Sequence, residues 1–301
     1  MTSPMRSMGS MLLLAVMWGL SIPATKLGLQ TLSPLALTAL RFAVAVPLLL
    51  PFVVGGTRVP VRELPRVAAL GLLGVGIGQV AQAYGVAGTS ASVGTIISAT
   101  IPVFVVIFAA IRLKQPVSGW QQAGLLAAFA GIALVALDGR TTTAVQSSAM
   151  GVTWMLLSAL AIAFYYVWSV ELTRKYGIGA LAAWSTFFGF VALVPWAGWE
   201  MWHVPFRITA EGLAAAVYLG VVVTVAGLLL WLNLLRTVPA SMAASVQYLQ
   251  PVIGVIASAA IFGDRLGVLF AAGAILVVCG LALTMTSRPK VPESSVEPRS
   301  S

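Results

Sequence analysis

Apolar residues in this chain do not alternate with polar ones. They run in blocks of about 20 residues, separated by short breaks that carry Arg, Lys, Pro or Gly. A block of that length is what a helix needs to cross the hydrocarbon core of a bilayer. Ten such blocks are predicted, at 9–29, 34–54, 67–87, 90–112, 118–137, 150–171, 180–200, 211–235, 239–262 and 266–286. The tightest breaks fall at Gly88-Thr89 and Thr237-Val238. A transmembrane barrel is excluded, because its strands alternate apolar and polar residues over about ten positions, whereas 99–111 is apolar on all sides. The predicted fold class is an all-α membrane protein.

Composition agrees with the pattern. Hydrophobic side chains make up 59% of the 301 residues, charged ones 8%, and the mean hydropathy is +1.00; a soluble domain carries about 25% charged residues. The net charge of +9 does not point to nucleic acid, because the 17 Lys and Arg stand singly or in pairs between apolar blocks. Their distribution reads as topology. With the N-terminus in the cytoplasm, twelve fall on that side, four (Lys26, Arg140, Arg207, Arg265) on the other, and Arg41 lies inside the second helix. The threefold bias puts both termini in the cytoplasm of a multi-pass plasma (inner) membrane protein. The first block continues to Leu29 without a small-residue cleavage pattern, so it is expected to be a retained helix. The tail 287–301, rich in Pro, Ser and Glu, has little to bury and reads as disordered. Cys279 and His203 are the lone residues of their kinds, which leaves no usual metal centre and no internal disulfide, so neither metal nor cofactor is expected.

Shifting the chain against itself by 149 positions aligns Pro102 with Pro251, Ala91-Ser92 with Ala240-Ser241, and Gly124 and Gly131 with Gly273 and Gly280. Twelve of the 46 positions from 89 to 134 are identical, where so biased a composition gives roughly four by chance. A duplication is the simplest source: a first five-helix repeat over 1–138 and a second over 149–286. Five is odd, so the second repeat enters the membrane from the opposite side. Two inverted five-helix repeats are the architecture of alternating-access carriers.

The residues behind this pattern resemble the EamA branch of the drug/metabolite transporter superfamily over 8–286. They are Trp18-Gly19 with Lys26, Arg41-Phe42, and the twice-occurring Ala-Ser, central Pro and Gly-acid pattern of helices 4 to 5 and 9 to 10. The second copy keeps Phe262-Gly263-Asp264-Arg265, while the first departs from it with Leu113-Lys114-Gln115-Pro116. The resemblance implies a ten-helix carrier of small organic solutes, and within the family it leans toward exporters of aromatic amino acids.

All eight acidic residues fall at span ends, in loops or in the tail. A carboxylate in the path is what proton antiport or multivalent cation export generally needs, so movement down a substrate gradient is favoured. Uncharged polar and aromatic groups stand inside the spans instead. The candidate substrate-binding set is Trp18, Arg41, Gln79, Gln82, Tyr84, Ser98, Trp168, Asn233, Gln247 and Tyr248. Gln79 and Gln82 share a helix face. Amides hydrogen-bond a polar backbone and rings stack an aromatic side chain; the same groups also glue helices together or fill gaps. Arg41, roughly 10 Å along its helix from Pro34, is placed either to receive a carboxylate or to bind carbonyls as an anchor. Lys26, nearer the interface, reads as an anchor. Pro102 and Pro251 are candidate hinges or simply tolerated kinks. Gly74-x-x-x-Gly78 permits close helix approach and leaves monomer against homodimer undecided.

The leading expectation is a secondary transporter exporting small amphipathic metabolites such as aromatic or neutral amino acids, with the bilayer and a small-molecule substrate as partners. The alternatives are a drug or quaternary-cation exporter or channel of the same architecture, and least of all an intramembrane enzyme, since no paired carboxylates or nucleophile and base stand in the spans.

Overall fold

The computed structural model describes residues 4–55, 58–114, 117–138, 147–203, 208–237 and 246–286. Eight helices are long and apolar enough to cross a membrane: α1 (Met8–Gly28), α2 (Pro34–Val54), α3 (Val61–Ala87), α4 (Ala91–Leu113), α5 (Gly119–Asp138), α6 (Ala149–Trp168), α7 (Ile178–His203) and α8 (Ala210–Trp231). Beyond them stand two more apolar helices, α9 (Val246–Phe262) and α10 (Val268–Thr286). Among the described residues the protein is all-helical, without a strand. The expected tail 287–301 and part of the tight break after Thr237 lie outside the described residues.

Local chemistry sets the helix starts. Ser33, Ser90, Ser148 and Thr209 stand extended before α2, α4, α6 and α8, and each side chain accepts the backbone N–H three residues on, at 2.9–3.3 Å. Those donors have no partner within the helix, so the hydroxyls satisfy groups that lipid leaves bare. Ser118 and Gln121 cap each other's backbone N–H at the head of α5. The third block begins earlier than its hydropathy predicts, because Pro60 leads into a tight turn at Val61–Glu63 and Pro65 sits in the first turn of the helix beyond it. The sixth ends sooner, at Trp168; the chain bends at Ser169 and continues as a short helix, Val170–Tyr176.

Two helices break next to prolines. α4 is interrupted at Ala99–Thr100, where Pro102 cannot donate to the Ser98 carbonyl, and Thr100 Oγ1 bonds the Ile97 carbonyl at 2.6 Å in compensation. α1 breaks at Leu20, three residues before Pro23. Pro251, by contrast, lies inside a helix that runs unbroken from Val246 to Phe262, so the two aligned prolines bend the backbone differently.

The most extensive helix packing pairs α5 with α10. A Cβ on Gly131 would lie 2.5 Å from the Gly273 carbonyl, and one on Gly280 2.5 Å from the Gly124 carbonyl. As the numbers rise along α5 they fall along α10, so these helices cross antiparallel. The 149-residue shift carries Gly124 onto Gly273 and Gly131 onto Gly280, and so exchanges the two contacts. Side chains at these four positions would hold the backbones apart. Gly74 and Gly78 of α3 serve similarly, against Tyr165 and against Ile162 and Ala161 of α6; their spacing is used inside the chain.

A Gly131→Leu substitution is expected to lower the detergent-solubilised melting temperature by several degrees, as overpacking by about 1–3 kcal/mol would. Gly119→Ala, where a Cβ meets nothing within 4 Å, is the matched control and should leave it unchanged.

Candidate functional site

Two helices depart from the α geometry, and they do so at positions that the same shift superposes. Residues Gly71–Ile77 of α3 and Tyr218–Ala226 of α8 are wound as π-helix. Gly71 and Gly78 bracket the first segment as Gly220 and Gly227 mark the second, each pair 149 residues apart. A π turn inserts a residue, rotates the remainder of the helix, and frees carbonyls from the ladder. In α8 the Val223 carbonyl accepts from Trp18 Nε1 at 3.1 Å, and Thr224 Oγ1 donates to the Leu219 carbonyl five residues back at 2.8 Å.

Arg41 of α2 lies between these segments. Its Nε donates to Thr224 Oγ1 at 3.1 Å and its Nη1 to Gln79 Oε1, on the first turn after the α3 π segment, at 2.8 Å. Gly220 lets α8 approach so closely that a Cβ there would lie 2.7 Å from the Arg41 carbonyl. Two of five N–H donors are thus accounted for. Among the described residues the ion pairs are Arg66–Glu171 and Lys175–Glu63, so Arg41 has no carboxylate partner. It lines a cavity of about 10 Å3, room for about one water, with Thr25, Thr38, Gln79 and Gln82 beside it. Gln82 Nε2 reaches Ser98 Oγ at a long 3.5 Å, which ties the cavity to the break in α4. Tyr166 of α6, 53% exposed, lies near Arg41.

The structure therefore brings together Arg41, Gln79, Gln82 and Ser98. It does not bring the remaining candidates to that cavity. Tyr84 packs on Trp154, with ring centres 5.6 Å apart. Trp168 stacks on Phe164 at 4.1 Å and meets Phe108 edge-on at 5.7 Å, in a packed aromatic cluster. Trp18 lies 5.8 Å from Trp231, and its indole N–H already bonds the α8 backbone. Asn233 is exposed near the end of the same helix. The side chains of Gln247 and Tyr248 lie outside the described residues. Thr224 and Tyr166 were not legible as candidates; the signal for Thr224 was the Gly71/Gly220 and Gly78/Gly227 match, which extends the repeat back into α3 and α8.

Both ends of the bundle are tied by polar contacts, within the first half at Lys26 and between the halves elsewhere. At one end Lys26 Nζ donates to the Thr89 and Val86 carbonyls at 2.6 and 2.8 Å, as a cation does at a helix C-terminus. Nearby, Asp264 Oδ2 accepts from Ser92 N at 2.9 Å and Glu200 from Ser33 Oγ at 2.5 Å. At the other end Arg66 bonds Glu171 at 2.8 Å; this hydrogen bond, and then the charge behind it, draws the Glu171 carboxyl below its ordinary range.

These features belong to a helical membrane protein, and comparison with known proteins gives the family. The model of the EamA-like transporter family matches twice, over residues 5–137 and 149–286, and the chain belongs to that family of multi-span membrane transporters. It is 28% identical to an "Uncharacterized transporter" of Archaeoglobus fulgidus, over 90% of this chain and 95% of that protein. It is 26% identical to a "Probable terminal-alkyne amino-acid exporter" of Streptantibioticus cattleyicolor, over 92% and 93%. A solved crystal structure shares the fold at a TM-score of 0.62 and 16% identity, covering 93% of this chain and 96% of that one.

Trp18→Phe keeps an aromatic ring, though a smaller one, and deletes the bond to the Val223 carbonyl. With a part-buried acceptor left unpaired, the expected loss is about 1–2 kcal/mol, read as a lower melting temperature of the purified protein.

Proposed function

We propose that this chain is a secondary transporter that exports small amphipathic metabolites of the aromatic or neutral amino acid class by alternating access. In this reading α1–α5 and α6–α10 form two inverted halves of a ten-span protein with both termini cytoplasmic. The antiparallel α5/α10 crossing with its exchanged glycine contacts, the paired π segments, and the two matches to one family model support the inverted repeat. The twelve-to-four bias of Lys and Arg supports the orientation. The amino-acid exporter among the relatives supports the substrate class.

The observation that carries the substrate reading is Arg41. Its guanidinium sits inside a span, is fixed by two neutral acceptors, and keeps donors without a carboxylate. A forked donor of fixed geometry matches a carboxylate, so the substrate carboxylate is bound there, while its ammonium finds amide oxygens, carbonyls or a ring face. Such a site holds its cargo weakly, as release requires. Pro102, next to the break in α4 and within reach of Gln82 and Ser98, is the hinge in this scheme; Pro251 is its counterpart.

In proteoliposomes, flux and counterflow of phenylalanine should saturate, and phenylalanine methyl ester, which lacks the carboxylate, should compete at least about tenfold less well. Equal competition by acid and ester would remove Arg41 as the receptor, and non-saturating flux would make the protein a channel. For the topology, in a Cys279→Ala background, Glu211→Cys should react with an impermeant thiol reagent added to intact cells and Arg174→Cys should not.

A further inference from the structure

A second cavity lies away from Arg41, between α2 and α7. It has a volume of about 250 Å3 and is lined by Val46, Leu49, Leu50, Val53, Ala183, Trp184 and Phe187. Its lining is apolar apart from the indole N–H of Trp184, too little to hold ordered water with its usual two to four partners, although the space exceeds a water's share of about 30 Å3 many times over. Leu49 and Ala183 form its buried floor, while Leu50 and Phe187 are exposed at 51% and 37%, so it opens toward the lipid side. Trp184 is held at its wall by stacking on Phe188, with centroids 5.6 Å apart and planes at 23°.

The chemistry at one end of this groove is different. Where α2 ends, Phe52 packs on Gly179 at the head of α7, and Val59 packs on the cluster that contains Tyr176 and Leu181. That places Arg58, Arg62 and Arg174, all exposed, around the same end. The neighbouring carboxylates are already engaged, Glu63 by Lys175 at 3.7 Å and Glu171 by Arg66 at 2.8 Å. An excess of positive charge therefore caps an apolar slot that runs toward the middle of the bilayer.

We propose that this groove is a binding site for an anionic phospholipid, with one acyl chain in the slot and the phosphate held by the arginines at its mouth. Charge complementarity selects this occupant: a second copy of the chain would bring the same arginines together, and a zwitterionic lipid carries no net charge to meet them. The acyl chain is already in an apolar phase, so the slot offers it packing contacts and not release from water, and the juxtamembrane cations supply the headgroup preference. The site is separate from the Arg41 cavity and does not depend on what is transported.

Titrating the purified protein in detergent with dibromostearoyl phosphatidylglycerol should quench tryptophan fluorescence at about tenfold lower lipid than the phosphatidylcholine analogue. Trp184→Phe should remove that saturable component. The double variant Arg58→Ala, Arg174→Ala, changed only at exposed positions, should bring phosphatidylglycerol to the phosphatidylcholine level, while Val46→Phe, which fills the slot, should weaken both lipids. Identical titrations for the two headgroups would overturn the proposal. So would a quench unaffected by Trp184→Phe, or one that varies with protein concentration as a dimer seated in the groove would require.

Discussion

A guanidinium inside a membrane span is the constraint around which the middle of this protein is arranged. Arg cannot shed its charge, and an unpartnered charge at that depth is costly. The usual partner would be a carboxylate, but none stands near Arg41 among the described residues. Neutral acceptors take its place, one from each of two helices, and both are positioned by π segments. Without the extra residue in α8, Thr224 would be rotated away from α2; without Gly220, the backbones would stand too far apart for the bond. The charge is thus held but not neutralised, the condition in which it attracts an anion that comes and goes.

The same π segments link that site to the bundle's symmetry. They occupy matched positions in α3 and α8, and the antiparallel α5/α10 crossing exchanges its glycines under the same shift. The symmetry is incomplete where it bears on the site. Gln79 stands two residues beyond the first segment, whereas the position 149 residues on is Leu228, so the polar contact exists on one side only. The prolines are unequal too, since α4 breaks and α9 does not. The alternating access proposed for this chain calls for such a combination, two halves alike enough to exchange shapes and a single site between them.

Much of the fold was legible because lipid leaves helices few alternatives: the block lengths gave the eight membrane-length helices to within a few residues, with errors where proline-led turns or a bend at Ser169 overrode hydropathy. Of the site, Arg41, Gln79, Gln82 and Ser98 were legible because a polar group in an apolar block stands out. Trp18, Tyr84 and Trp168 lie away from the Arg41 cavity, since rings serve packing as readily as binding and most of their partners come from other helices. Thr224 and Tyr166 were invisible because only a π turn, which hydropathy does not register, and the approach of α6 give them meaning. Lys26 behaved as an anchor, bonding the carbonyls at the end of α3.

The central claim is that Arg41 serves the cargo and not the fold. It is tested most directly by Arg41→Gln, measured for melting temperature and for phenylalanine counterflow on the same preparation. Glutamine keeps a donor for Thr224 or Gln79 but loses the charge, so counterflow should fall by about tenfold or more while melting shifts by only a few degrees. Undiminished counterflow would contradict the account. A collapse of melting that accounts for all the lost flux would return Arg41 to the role of an anchor.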